Sequence, residues 1–261
     1  MEFARKLRAG LALVAVSLWI LILDPILRWF VTPLYRLRGD AYLTGWIRWV
    51  ARTVLGILRL GGVPIDLSER ILGTPDTLIL MNHQSLLDIP LAVILVEGRF
   101  PRIVTRDRYG RGIPLVSPML RLMDCPLVSP GQRNRQQLQE LTEIARTSEH
   151  PLLIYPEGTR SRDGRLGPFK RAGLLALLAG RSFEVRLVAV DGLWPAGKFA
   201  DLPGALVGLR GRVAQAGPFR SPEPDGDLEG FVGEMEGRMA DLLAGLRETA
   251  GEPTATGRSA T

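Results

Sequence analysis

Residues Ala9–Leu23 form an uncharged apolar run of 15, and a chain carrying such a run must bury it in a core or in lipid. A full bilayer crossing takes about 20 residues. Asp24-Pro25 follows, and is expected to interrupt the element before a second apolar stretch, Ile26–Val31. Basic residues flank both sides (Arg5, Lys6 and Arg8 before; Arg28, Arg36 and Arg38 after). Charge therefore sets no orientation for a single crossing. No small-x-small cleavage site follows the run, which argues against a removable signal peptide. The expectation is a helix that dips into one leaflet and returns, with a single span as the alternative.

The next segment supports an interfacial placement. Ile47, Val50, Ala51, Val54, Leu55 and Leu58 recur at helical spacing, while Arg48, Arg52 and Arg59 share another face. This is an amphipathic helix suited either to a membrane interface or to packing on a core with a solvated arginine face. The chain's net charge is +6, from 33 basic and 27 acidic residues. Residues 1–60 hold nine basic and three acidic side chains, 9 − 3 = +6, so the other 24 of each cancel. All the excess charge thus lies beside the most apolar segment, interleaved with Trp19, Trp29, Trp46 and Trp49. An anionic bilayer surface is the expected partner, and nucleic acid is not. Residues 1–60 are read as an N-terminal membrane-associated two-helix hairpin.

After Gly61-Gly62-Val63-Pro64 the pattern changes. Short apolar runs at Thr77–Met81, Arg102–Thr105, Leu152–Tyr155, Val185–Val190 and Leu206–Ala214 read as strands. Helical stretches separate them: from Ser85 onward, Pro114–Met123, Asn134–Thr147, Lys170–Ala179 and Asp227–Arg247. Strands alternating with helices predict an α/β fold, with a central, largely parallel mixed sheet flanked by helices. The main domain is placed at 61–247 and a disordered tail at 248–261. The lone Cys125 allows no intramolecular disulfide and reads as a small buried hydrophobe. With only two histidines in the chain, a structural zinc site is not expected. His150 has no partner in sequence and is read as a surface residue.

Two segments carry chemistry. Asn82-His83-Gln84-Ser85-Leu86-Leu87-Asp88 places an imidazole five residues before a carboxylate, just past a buried strand. Ser85-x-x-Asp88 fits a helix capping box, which alone would account for Asp88. Alternatively, Asp88 in the first helical turn accepts the Nδ1 proton of His83, leaving Nε2 as a base. No protein nucleophile accompanies the pair, so the base would act on a hydroxyl of the substrate. The second segment is Tyr155-Pro156-Glu157-Gly158-Thr159-Arg160-Ser161-Arg162-Asp163. A tight turn with a Glu157–Arg160 ion pair is its plainest reading. That leaves unexplained the crowding of Arg160, Arg162, Arg165, Lys170 and Arg171 after a buried strand. Free amides around Gly158 and an arginine fork suit a phosphate ester.

Together, Asn82-His83-x-Ser85-x-x-Asp88 and Tyr155-Pro156-Glu157-Gly158-Thr159-Arg160-Ser161 resemble the 1-acyl-sn-glycerol-3-phosphate acyltransferase family over roughly residues 60–220. The resemblance implies a glycerolipid-acyltransferase type of fold. It also implies transfer of a fatty acyl group from acyl-CoA or acyl-carrier protein to a lysophospholipid hydroxyl. His83 matches the general base and Asp88 its orienting partner. Glu157, Gly158, Thr159 and Arg160 match the positions that bind the acceptor's phosphate, with Arg106 and Arg133 as further possible phosphate contacts. The resemblance implies no metal and no cofactor beyond the acyl donor, and a site on the cytoplasmic face of the inner membrane. Two departures bear on the acceptor. Ser117 stands where the family usually has glycine, and Ser129-Pro130 where an Asp-Arg pair is usual.

Overall fold

The computed structural model describes residues 2–129, 135–197 and 205–249. Helix α1 (Glu2–Ile26) does not break at Asp24-Pro25 as expected. A π-helical segment at Leu27–Val31 carries it on into α2 (Thr32–Arg38). Proline removes one N–H and crowds the carbonyl one turn back, and the wider π turns just beyond it take up that misfit. Gly39, with φ 72°, ends this helix, and α3 (Asp40–Leu60) folds back along it. Trp19 Nε1 donates to Thr53 Oγ1 at 3.0 Å, and the Trp19 and Trp49 rings lie 5.7 Å apart. Nearer the start of α1 the backbones approach closely, for a Cβ on Gly61 would fall 2.4 Å from that of Ala12.

The remaining elements are β1 (Ile71–Gly73), β2 (Thr77–Met81), α4 (Asp88–Leu95), β3 (Val96–Gly98), β4 (Arg102–Ile103), β5 (Thr105–Arg106), α5 (Val116–Leu122) and β6 (Leu127–Val128). Then come α6 (Arg135–Thr147), β7 (Leu152–Ile154), α7 (Arg171–Leu178), β8 (Glu184–Asp191), β9 (Arg212–Arg220) and α8 (Leu228–Glu248). The main sheet has the order β4-β7-β2-β8-β9, with β9 alone antiparallel. It is the mixed, largely parallel sheet the sequence predicts. Two small parallel pairs, β1-β3 and β5-β6, stand apart from it. The last strand starts later than the expected Leu206, because residues 205–208 make a helical turn in which Gly208 takes φ 83°. The closing helix runs to Glu248, and residues 250–261 of the expected tail lie outside the described residues.

Strand alternation sorts the core into two layers. Leu78 and Leu80 face α6, α7 and α8, packing with Leu177, Phe183 and Met239. Ile79 and Met81 face α1, α3 and α4, packing with Leu27, Leu55 and Leu91. This second cluster is continuous from Ala9 to Val213, so residues 1–60 share a core with the sheet. A chain lacking residues 1–60 is therefore expected to aggregate rather than release a soluble domain. Size-exclusion chromatography after detergent removal checks this, and a monodisperse truncated chain would contradict it.

The other side of α1 is bare. Phe3, Leu7, Leu11, Val14, Leu18, Leu21 and Ile22 are exposed along it, while Ala9, Ala12, Val16 and Leu23 are buried. The helix from Glu2 to Arg38 is long and apolar enough to cross a membrane, with a best-window mean hydropathy of 2.3. Asp24, in its middle, accepts a bond from the Leu115 backbone N–H at 2.6 Å and pairs with Arg28. That bond fastens the apolar helix along the domain.

Candidate active site

Parallel register explains why two motifs so far apart in the chain meet. β2 and β7 are neighbours with Leu80 opposite Ile154, an offset of 154 − 80 = 74. Carried past the strand ends, the same offset brings His83 beside Glu157. The His83 N–H indeed donates to Glu157 Oε1 at 2.8 Å. The Ser161 N–H donates to the His83 carbonyl at 2.7 Å, and the His83 ring stacks on Tyr155 with centroids 4.1 Å apart. Both motifs therefore lie at the carboxyl ends of adjacent strands, where sheets of this kind place their sites.

Only one ring nitrogen of His83 is hydrogen-bonded among the described residues. Its Nδ1 lies 2.8 Å from Asp88 Oδ2, which also accepts from the Gln84 and Ser85 backbone N–H groups at 2.7 and 2.8 Å. Asp88 thus orients the imidazole and caps the turn into α4, so the two readings of the motif hold together. Donation from Nδ1 sets the tautomer that leaves Nε2 as an acceptor, and Nε2 has no partner among the described residues. The His83 side chain retains 17% of its exposure while that of Asp88 retains none. A fixed, carboxylate-backed imidazole thus opens on one side to the surroundings. The Ser85 hydroxyl is engaged, donating to the Ala196 carbonyl at 2.8 Å.

Glu157 makes no ion pair with Arg160. Its carboxylate accepts from the His83 and Gly167 backbone N–H groups, each at 2.8 Å. Burial raises its pKa above the ordinary carboxylate range, and the two backbone bonds work against that rise. Both of its oxygens are thus used in joining two loops. Gly158, at φ 61°, turns the chain there, and Arg106 Nη2 donates to its carbonyl. Thr159 is exposed, and Arg160 Nη2 lies 3.5 Å from the Tyr109 hydroxyl. Arg133 lies outside the described residues. Ser117 is buried and closes its loop by donating to the Tyr109 carbonyl and accepting from the Ile113 N–H, both at 2.9 Å.

Five buried side-chain polar atoms have no hydrogen-bond partner among the described residues, and three of them gather here: Asp88 Oδ1, Tyr155 OH and Arg160 Nη1. Unsatisfied buried groups are rare in folded proteins, and their concentration singles out this end of the sheet as the candidate site. Burial, and then the charge of Asp88, raise the Tyr155 phenol's pKa well above its ordinary value. Tyr155 received no role from the sequence, since its stacking on His83 depends on strand register.

A second set of residues holds the His83 loop in place. Asn82 bonds the Val190 backbone on both sides, Nδ2 to the carbonyl at 2.9 Å and Oδ1 from the N–H at 2.6 Å. Gln84 accepts from the Leu193 N–H at 3.0 Å and donates to Asp191 Oδ1 at 3.3 Å. Asp191 in turn binds Arg247 and Arg212, each at 2.8 Å, tying α8 and β9 to this loop. Burial pushes the Asp191 pKa up, but the bond and charge of Arg247, then Gln84 and Arg212, outweigh it and hold it below the ordinary 3.8. A lowered carboxyl pKa adds stability that is present above the unfolded value and lost as pH falls through the folded one. Asp191→Asn is thus expected to cost about 3 kcal/mol at neutral pH, roughly 6–12 °C in Tm. The gap to the parent protein should narrow below about pH 4. Thermal melts across pH check this.

Two expectations elsewhere resolve differently. Cys125 is buried and its thiol is pushed up to about 12 by burial, as befits an inert core residue. His150 is not a plain surface residue. Its Nε2 lies 3.0 Å from Asp40 Oδ2, and its ring stacks on Phe100 at 4.2 Å. That partner comes from a residue 110 positions away, beyond the reach of local sequence pattern.

Residues 63–182 match the model of the Acyltransferase family. The matched segment is 120 of the 261 residues. It holds His83, Asp88 and the whole Glu157–Arg160 turn. The chain is 28% identical over 165 residues to a 1-acyl-sn-glycerol-3-phosphate acyltransferase of Cocos nucifera, covering 61% of this chain and 49% of that one. It is 34% identical over 92 residues to the chloroplastic enzyme of that name, BAT2, from Brassica napus, covering 34% and 26% respectively. The chain thus spans about half the length of one curated relative and a quarter of the other. Its fold is that of the crystal structure of the 1-acyl-sn-glycerophosphate acyltransferase PlsC from Thermotoga maritima. The TM-score is 0.64 at 20% identity, over 95% of this chain and 98% of that one. The likeness in fold therefore takes in the N-terminal helices as well as residues 63–182.

Proposed function

We propose that the protein transfers a fatty acyl group from a thioester, acyl-CoA or acyl-carrier protein, to the free hydroxyl of 1-acyl-sn-glycerol 3-phosphate, giving phosphatidic acid. The observation that carries this reading is the fixed His83–Asp88 pair, 2.8 Å apart, bonded through the backbone of His83 to the arginine-bearing turn. His83 Nε2 takes the proton of the acceptor hydroxyl as its oxygen attacks the thioester carbonyl carbon. The imidazolium is stabilised by the Asp88 carboxylate. Collapse of the tetrahedral intermediate breaks the carbon–sulfur bond, and the leaving sulfur takes the proton back from Nε2. No covalent enzyme intermediate is needed, because the substrate supplies the nucleophile.

Arg160 Nη1, buried and unpartnered, suits one oxygen of the acceptor's phosphate. Glu157 and Arg106 shape the turn that presents it. Anchoring the phosphate holds the hydroxyl near the base, and positioning of this kind lowers a barrier by up to about 7–11 kcal/mol. The exposed apolar side of α1 lies in one leaflet of the inner membrane, and the active site faces the cytoplasm, where thioester donors are found. Purified protein in vesicles, given labelled acyl-CoA or acyl-carrier protein and the lysophospholipid, should form labelled phosphatidic acid. Absence of product with both donors would remove the proposal.

A further inference from the structure

Far along the chain from the motifs that carry chemistry, the geometry points to a second phosphate site, for the headgroup of an anionic phospholipid, where α1 begins and α3 ends. A cavity of about 220 Å³ opens there, lined by Arg5, Arg8 and Arg210 with Gly62, Gly208 and Leu206 among its walls. Among the described residues, no acidic side chain lines it. None of the three arginines has a hydrogen-bond or ionic partner among the described residues. Glu2, the nearest acid in sequence, is taken by Lys6 at 2.8 Å.

Placement sets these arginines apart from scattered surface charge. Arg5, itself exposed, precedes the buried Ala9, Ala12 and Val16 by 4, 7 and 11 residues, which puts it in line with the buried stripe of α1. Arg8 lies against Gly62, where φ is 97° and a Cβ would meet Arg8 Nη2 at 2.7 Å. Gly208, at φ 83°, leaves open space on the other wall. Guanidinium groups converging on a cavity suit the paired oxygens of a phosphate. The exposed Phe3, Leu7 and Leu60 stand next to these residues in the chain, so the ligand that fits carries apolar chains beside its phosphate. An anionic phospholipid has that form, and its chains would lie in the same leaflet as the bare side of α1.

This site does not depend on the acyl-transfer reading, and its test needs no turnover. Full-length protein carrying Arg5→Gln, Arg8→Gln and Arg210→Gln is compared with a control carrying Arg36→Gln, Arg38→Gln and Arg52→Gln. Each removes three charges, so diffuse attraction to a negative surface falls equally. Flotation with phosphatidylcholine vesicles, with and without phosphatidylglycerol, gives the preference for the anionic lipid. The pocket variant should lose about tenfold of that preference and the control less than about twofold. Equal losses would overturn the site. Tight binding of free glycerol 3-phosphate by the parent protein, lost in the pocket variant, would overturn the assignment to lipid. Arg210→Gln alone, outside both α1 and α3, repeats the comparison if the triple variant does not fold.

Discussion

His83→Ala is expected to lower acyl transfer by about 10²–10⁴-fold with little change in stability. The proposed mechanism uses only its ring for proton transfer, and its backbone bonds to Glu157 and Ser161 survive the substitution. The Asp88 carboxylate keeps the Gln84 and Ser85 amides after the ring is lost. Asp88→Asn should lose activity to a similar degree by a different route. An amide can turn a donor toward His83 Nδ1, which would place the ring proton on Nε2 and remove the base. Because Asp88 is fully buried and holds backbone amides, that variant should also lose about 1–3 kcal/mol of stability. Groups acting as one unit are not additive, so the double variant should be no slower than the worse single one. Initial rates and thermal melts on all three variants separate the two effects. Multiplying losses would show that the pair does not act together.

Arg160→Ala is expected to reduce kcat/KM for a phosphate-bearing acceptor by roughly 10–100-fold, the worth of one or two charge-assisted bonds. Its effect on an acceptor without the phosphate should be at most about twofold, since the base is untouched. Arg160→Lys should recover only part of the loss, because an ammonium cannot reproduce the planar fork. Rates for 1-acyl-sn-glycerol 3-phosphate and 1-acylglycerol, measured on each variant, give the selectivity directly. Equal losses on both acceptors would place Arg160 in loop structure rather than at the phosphate.

Much of this arrangement is legible in the chain because it depends on local rules. The apolar runs Thr77–Met81 and Leu152–Tyr155 read as strands from composition alone, and each leads straight into a polar motif. Adjacent parallel strands then bring those motifs together, since a shared register carries past both strand ends. Asp88 five residues after His83 reaches back because it opens α4. What sequence could not show comes from contacts set by packing. The stacking of Tyr155 on His83, the bond from Arg106 to the Gly158 carbonyl, and the tie from Gln84 through Asp191 to α8 all join separate elements. Glu157 reads from sequence as part of a phosphate cradle, yet its carboxylate binds two backbone amides. The continuity of the first helix through Pro25 was hidden as well, because a π segment absorbs what a proline would otherwise break.

The most direct measurement is a competition between acceptors on the purified, vesicle-bound parent protein, with one labelled acyl thioester and equal amounts of 1-acyl-sn-glycerol 3-phosphate and 1-acylglycerol. A base and a phosphate anchor sharing one site predict labelled phosphatidic acid in at least about tenfold excess over diacylglycerol. Equal labelling of the two products, or label released only as free fatty acid, would contradict the account.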